Sequence, residues 1–121
     1  MNIYLSARFG RQEEMKAIRE EILDSGHYCT SRWLDEKPGT SERDAALIDL
    51  KDIDESDCVV FFTETPDVGY TTGGRHVELG YAIANKKFIY LIGPRENVFY
   101  HHPRVEQVPD IHAIIDDIEI I

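Results

Sequence analysis

Apolar residues along the chain alternate between two periods. Residues 2–6, Asn-Ile-Tyr-Leu-Ser, form a short apolar run that closes on a polar loop and predict a first strand. Over residues 11–25, Met15, Ile18 and Ile22 recur at helical spacing, and Gly26 stands where a left-handed cap would end the helix. Residues 27–33 predict a second strand, and Pro38 and Gly39 mark 34–40 as loop. Ser41, with Asp44 in the following turn, opens a helix over about 42–55 that turns Ala46, Leu50 and Ile53 inward. The run Asp57–Thr63 is continuously apolar at its centre, the pattern of a strand buried on both faces. A loop over 64–72 carries Pro66 and Gly69, a helix over 73–86 follows, and then a strand over 87–92. Beyond Gly93-Pro94 the stretch 95–104 is irregular, basic and aromatic, and a short helix starts near Asp110.

Strand and helix alternate, which predicts a three-layer α/β/α domain around a flavodoxin-like, mostly parallel sheet of four or five strands. The expected order is 2-1-3-4, with a possible fifth strand. Residues 1–121 show no repeat, low-complexity segment or second domain, so one domain is expected. In such sheets ligands bind beyond the carboxyl ends of the strands, where the strand order reverses. Here that point lies between the loops Ser6–Gly10 and Glu64–Thr72.

Composition narrows the function. A net charge of −10 without a Lys/Arg cluster argues against a nucleic-acid polymer as partner, while leaving a single nucleotide open. No apolar run approaches the roughly 18 residues that would span a bilayer, and the first residues read as a strand rather than a signal peptide. A cytoplasmic protein without membrane contact is expected. Cys29 and Cys58, each placed inside a predicted buried strand, are expected as reduced core thiols.

Glu78 lies in the second turn of a helix that begins with Gly73 and Gly74, whose bare backbone lets a ligand approach the helix N-terminus. An isolated Glu is usually solvated, but this one sits at the predicted switch point. Asp49 belongs to a helix whose other acids form a solvated face. It precedes Leu50 and stands one turn before Ile53, so it could supply a second carboxylate. Such a pair suits glycosidic bond cleavage: one carboxylate traps the cation-like sugar and the other handles the proton of the leaving group. The turn Ser6-Ala7-Arg8-Phe9-Gly10 is either a phosphate cradle or a plain connection. Phe9 and Trp33 could stack on a base or pack, and Arg75 and His76 could contact a ligand or lie on the surface. His101-His102 lacks the partners of a metal site, so no metal is expected, and glycosidic cleavage by two carboxyl groups needs no organic cofactor.

With these residues in view, the chain resembles the nucleoside 2-deoxyribosyltransferase-like family, which includes deoxyribonucleoside monophosphate N-glycosidases. The resemblance covers most of the chain in order. It rests on Ile3-Tyr4-Leu5-Ser6-Ala7-Arg8, on Asp49-Leu50 through Asp57-Cys58-Val59-Val60, and on Gly74 with Glu78-Leu79-Gly80-Tyr81-Ala82. It implies that Glu78 attacks the anomeric carbon, that Tyr4 orients Glu78, and that Asp49 assists departure of the base or holds a sugar hydroxyl. It also implies a nucleoside or nucleotide substrate, with a phosphate near Ser6, Arg8 and His101. A homodimer or larger assembly is implied too, in which Tyr100 or His101 reaches a neighbour's pocket. Two features depart from the transferases of the family. Thr71-Thr72 stands where they carry a further Asp, and the end Asp116-Asp117-Ile118-Glu119-Ile120-Ile121 lacks their polar aromatic tail. Both departures leave the acceptor, a second base or water, undecided. The competing reading is a nucleotide sensor without catalysis on the same fold.

Overall fold

The computed structural model describes residues 1–69 and 72–119. Thr71 and the last two residues of the tail, Ile120 and Ile121, lie outside the described residues. Five strands, β1 (Asn2–Ser6), β2 (Tyr28–Cys29), β3 (Cys58–Phe62), β4 (Phe88–Ile92) and β5 (Val105–Gln107), form one sheet in the order β2-β1-β3-β4-β5. Every neighbouring pair is parallel, with registers such as Tyr4↔Val59, Val60↔Tyr90 and Ile89↔Val105. The helices are α1 (Gln12–Asp24), α2 (Glu42–Asp54), α3 (Gly74–Ala84) and α4 (Ile111–Glu119). They make the sheet the middle layer of an α/β/α sandwich. On one side Tyr81 of α3 donates to Asp54 at the end of α2 at 2.5 Å. On the other, His112 of α4 lies 3.6 Å from Glu21 of α1. Among the described residues no helix is long and apolar enough to cross a membrane.

β3 is the hub because it has a partner strand on both edges and helices over both faces; its five residues are all buried. Cys58 is part of this core, and burial pushes its thiol up to about 12, so it is no nucleophile. Cys29, expected in a buried strand, lies on the edge strand β2 and is only partly buried. At α2, Ser41 caps the helix by accepting from Asp44 N at 3.1 Å, as its position predicted. Ile53 is buried, but Ala46, expected inward, is exposed. The helix turns that face toward a cleft instead of the sheet.

The largest difference from the sequence expectation is at 27–33. Only Tyr28 and Cys29 pair as a strand, and a short 3-10 turn covers Arg32–Asp35. The reason is local: on that edge Ser31 Oγ accepts from Leu5 N at 2.7 Å, and Trp33 Nε1 donates to Leu5 O at 2.8 Å. Side chains satisfy the backbone groups that a longer β2 would have paired. The chain therefore leaves the sheet early and opens space beyond the end of β1.

Gly93, directly after β4, has φ +120°, and a Cβ there would lie 2.6 Å from Thr63 Oγ1 and 3.1 Å from Thr63 O. Both the backbone angle and the space demand glycine. Gly93→Ala should lower stability by about 2 kcal/mol or more, read as a lower urea midpoint with unchanged slope. A loss below about 0.5 kcal/mol would show that this turn relaxes freely.

Candidate active site

The reversal in strand order falls between β1 and β3: from β1 the chain crosses to β2 on one side, then returns to β3 on the other. Tyr4 and Ser6 are two residues apart on β1 and so project on one face. Both are buried, and both point at Glu78 on α3. Tyr4 OH donates to Glu78 Oε2 at 2.6 Å, and Ser6 Oγ donates to Glu78 Oε1 at 2.7 Å. Each carboxylate oxygen thus has its own donor from the strand. Gly73 makes the approach possible: at φ +82° it caps α3 in the left-handed conformation and lets the helix start abruptly at the sheet's end.

Desolvation pushes the Glu78 carboxyl up, while the Tyr4 and Ser6 hydrogen bonds and the charge of Arg75 pull it down. Desolvation wins, so the carboxyl lies above its ordinary range while the two hydroxyls hold it in place. The Tyr4 hydroxyl is pushed well above its ordinary value, first by burial and then by the Glu78 charge, so it remains a donor.

Across the cleft, Asp49 of α2 has its Oδ1 buried without a hydrogen-bond partner among the described residues. Burial, and next the charge of Glu78, raise its carboxyl to about 7. Two of the carboxyls that line the cleft, Glu78 and Asp49, are thus both pushed up, and that of Asp49 is brought near neutrality. The cleft has a volume of about 510 Å³ and is lined by Tyr4, Phe9, Trp33, Asp49, Leu50 and Glu78, among others. That size suits a molecule such as a nucleotide, and its walls are mostly apolar with few convergent polar groups.

The structure brings together most of the residues singled out from sequence. Arg8, Phe9, Gly74 and Arg75 all line the cleft with Tyr4, Asp49 and Glu78. Arg8 Nε lies 3.2 Å from Glu64, and its two terminal nitrogens have no partner among the described residues. Gly10 makes room for it, since a Cβ there would meet Arg8 Nη1 at 2.8 Å. Phe9 is exposed and leans on Trp33 with ring centroids 6.2 Å apart.

Three expectations are corrected. Ser6, expected to cradle a phosphate, is fully buried and donates to Glu78 instead. Arg75, expected to contact substrate, is 4% exposed, and its Nη2 binds both Glu96 carboxylate oxygens at 2.6 and 2.8 Å, which ties α3 to the loop after β4. Tyr100, offered with His101 as the residue that reaches a neighbour, is fully buried with its hydroxyl 3.1 Å from His76 Nδ1. His101 is exposed at the end of a 3-10 turn, Val98–His101, and does not line this cleft. Sequence reasoning passed over Glu36, which lines the cleft from a segment read only as loop. The i, i+2 pairing of Tyr4 with Ser6 was the available signal for Ser6's role.

No family model matches the chain, and no curated protein shows significant similarity to it. A solved structure of the Clostridium botulinum CMP N-glycosidase BcmB superposes over 100% of this chain and 100% of that chain, with a TM-score of 0.65 and 20% sequence identity. The likeness establishes a shared fold.

The raised carboxyl of Asp49 makes a stability prediction. An unfolded Asp loses its proton near pH 4, whereas the folded one keeps it to about 7. Its contribution to stability is therefore full below about pH 4 and is lost as pH rises to about 7. Asp49→Asn should gain stability relative to the parent between pH 5 and pH 8, measured by urea unfolding at both. A difference between the two proteins that does not change with pH would show that Asp49 titrates normally.

Proposed function

We propose that the protein cleaves the N-glycosidic bond of a nucleoside or nucleoside 5'-monophosphate, through a ribosyl ester on Glu78. The observation that carries this reading is the Glu78 carboxyl, clamped by Tyr4 and Ser6 in a nucleotide-sized cleft that Asp49 also lines, with the Asp49 carboxyl raised to about 7. The fold shared with a CMP N-glycosidase supports it, as does the resemblance to the deoxyribosyltransferase-like family, to which we assign the chain.

In the first step a Glu78 oxygen bonds to the anomeric carbon, the carbon–nitrogen bond breaks, and its electron pair leaves with the base. Asp49 gives its proton to the departing base. In the second step an acceptor attacks the same carbon from the opposite face. When the acceptor is water, ionised Asp49 takes its proton, the ester bond breaks, and Glu78 returns as carboxylate with configuration retained. Tyr4 and Ser6 hold the nucleophile in line. The free end of Arg8 at the cleft mouth is the group placed to meet a 5'-phosphate. We read residues 1–121 as one cytoplasmic domain that works as a homodimer or larger assembly, as the family resemblance implies.

Incubation with a panel of nucleosides and 5'-monophosphates, with free base as the readout, tests the reading. Base release from none of them would end it. Glu78→Ala should lose at least about 10³-fold in kcat, and Tyr4→Phe about ten- to a hundredfold. Because Asp49 acts as an acid with its carboxyl raised to about 7, kcat should fall as pH rises above that value. Near-full activity of Glu78→Ala would overturn the mechanism.

A further inference from the structure

Glu36 is the acid in the cleft that the mechanism leaves unused. It follows the 3-10 turn that carries Trp33, and its backbone N donates to Trp33 O at 3.2 Å. That turn is well anchored: Trp33 is buried with its indole on Leu5 O, and Gln12 Nε2 donates to Trp33 O at 2.8 Å. Glu36 is partly buried in the cleft wall, yet its carboxylate makes no hydrogen bond or ion pair among the described residues. The acids around it are differently placed. Asp35 is held by Arg19, Asp52 by Arg32, Glu64 by Arg8 and Arg11, and Glu96 by Arg75.

A carboxylate on the cleft wall that no group among the described residues engages is free to accept from a donor on the ligand. The charge of Glu36 also acts on Asp49 and helps it to keep its proton, so the two groups are electrostatic neighbours. Together they offer a hydrogen-bond donor, the Asp49 acid, and an acceptor, the Glu36 carboxylate. In the same cleft wall Phe9 and Trp33, tilted 40° to each other, offer aromatic surface on which a base can stack.

We infer that Glu36 reads the exocyclic amino group of the bound base, so that the cleft prefers amino-bearing bases to their oxo counterparts. Cytosine and adenine each present a ring-nitrogen acceptor beside an amino donor, the complement of the Asp49–Glu36 pair. Uracil and hypoxanthine present the reverse, a ring N–H beside a carbonyl oxygen, and that oxygen would face the carboxylate. Attraction to one class and repulsion of the other act in the same direction. This inference rests on the reading of the cleft as a nucleotide site given above.

The test measures binding in a Glu78→Gln background, so that no turnover intervenes, by calorimetric titration with two matched pairs. These are cytidine against uridine 5'-monophosphate, and adenosine against inosine 5'-monophosphate. With Glu36 intact, the amino member of at least one pair should bind roughly tenfold tighter or more. Glu36→Ala should bring that ratio near one, and Glu36→Gln should leave it in between. No preference with Glu36 intact, a preference that survives Glu36→Ala, or an equal loss for both members of a pair would each overturn the inference. Base release by the protein with Glu78 intact is measured separately. A Glu36-dependent preference without any base release would overturn the glycosidase reading and leave this one standing.

Discussion

A carboxyl group held at the end of a parallel sheet, with a donor from β1 on each oxygen, is the constraint around which this protein is arranged. Removing Glu78 from water is costly, on the order of several kcal/mol for an ion in a protein interior. Two hydrogen bonds to a charged acceptor return about 1.5–3 kcal/mol each. The balance falls on the side of desolvation, as the raised carboxyl of Glu78 shows. The two hydroxyls fix its position. The rest of the local structure follows from keeping it so: an abrupt glycine start to α3, two hydroxyls on one face of β1, and Arg75 near enough to moderate the charge but held by Glu96.

The cleft exists because β2 ends early. Ser31 and Trp33 take over the backbone groups of Leu5 and lead the chain off the sheet. Asp52, 1% exposed, then pins the departing chain to α2 by accepting from Arg32 N at 2.9 Å and Arg32 Nε at 2.8 Å. Asp49 stands one turn earlier on the same helix. The contacts that close the core at this corner are therefore those that set the second carboxyl opposite the first.

That placement splits two chemically similar side chains. Both are desolvated, but Glu78 also meets two hydroxyl donors and a guanidinium, whereas Asp49 meets the charges of Glu78, Glu36 and Asp52, with only Arg32 opposing. In the proposed mechanism the same functional group serves as nucleophile on one wall and as acid on the other. Environment, not residue type, assigns the roles.

Much of the fold was legible in the chain. Met15 and Ile22, the continuous run Cys58–Phe62 and the Ser41 cap are local signals, and a helix or strand of ordinary length follows directly from such periodicity. Glu78 was legible through its glycine-led helix and the loop positions, and through the motif residues around it. Two strands were not. β5 is Val-Glu-Gln, with no apolar run to announce it, and β2 was overestimated because its neighbours are satisfied by side chains. The roles of Ser6, Arg75 and Glu36 were decided by tertiary structure alone. Ser6 meets Glu78 across 72 residues of sequence and Arg75 meets Glu96 across 21, so neither partner could be known from spacing. Sequence by itself determined which elements form and which acid stands at the switch point, because those depend on periodicity and order. Which polar groups are engaged and which are left free depends on contacts between distant segments, and only the folded chain decides it.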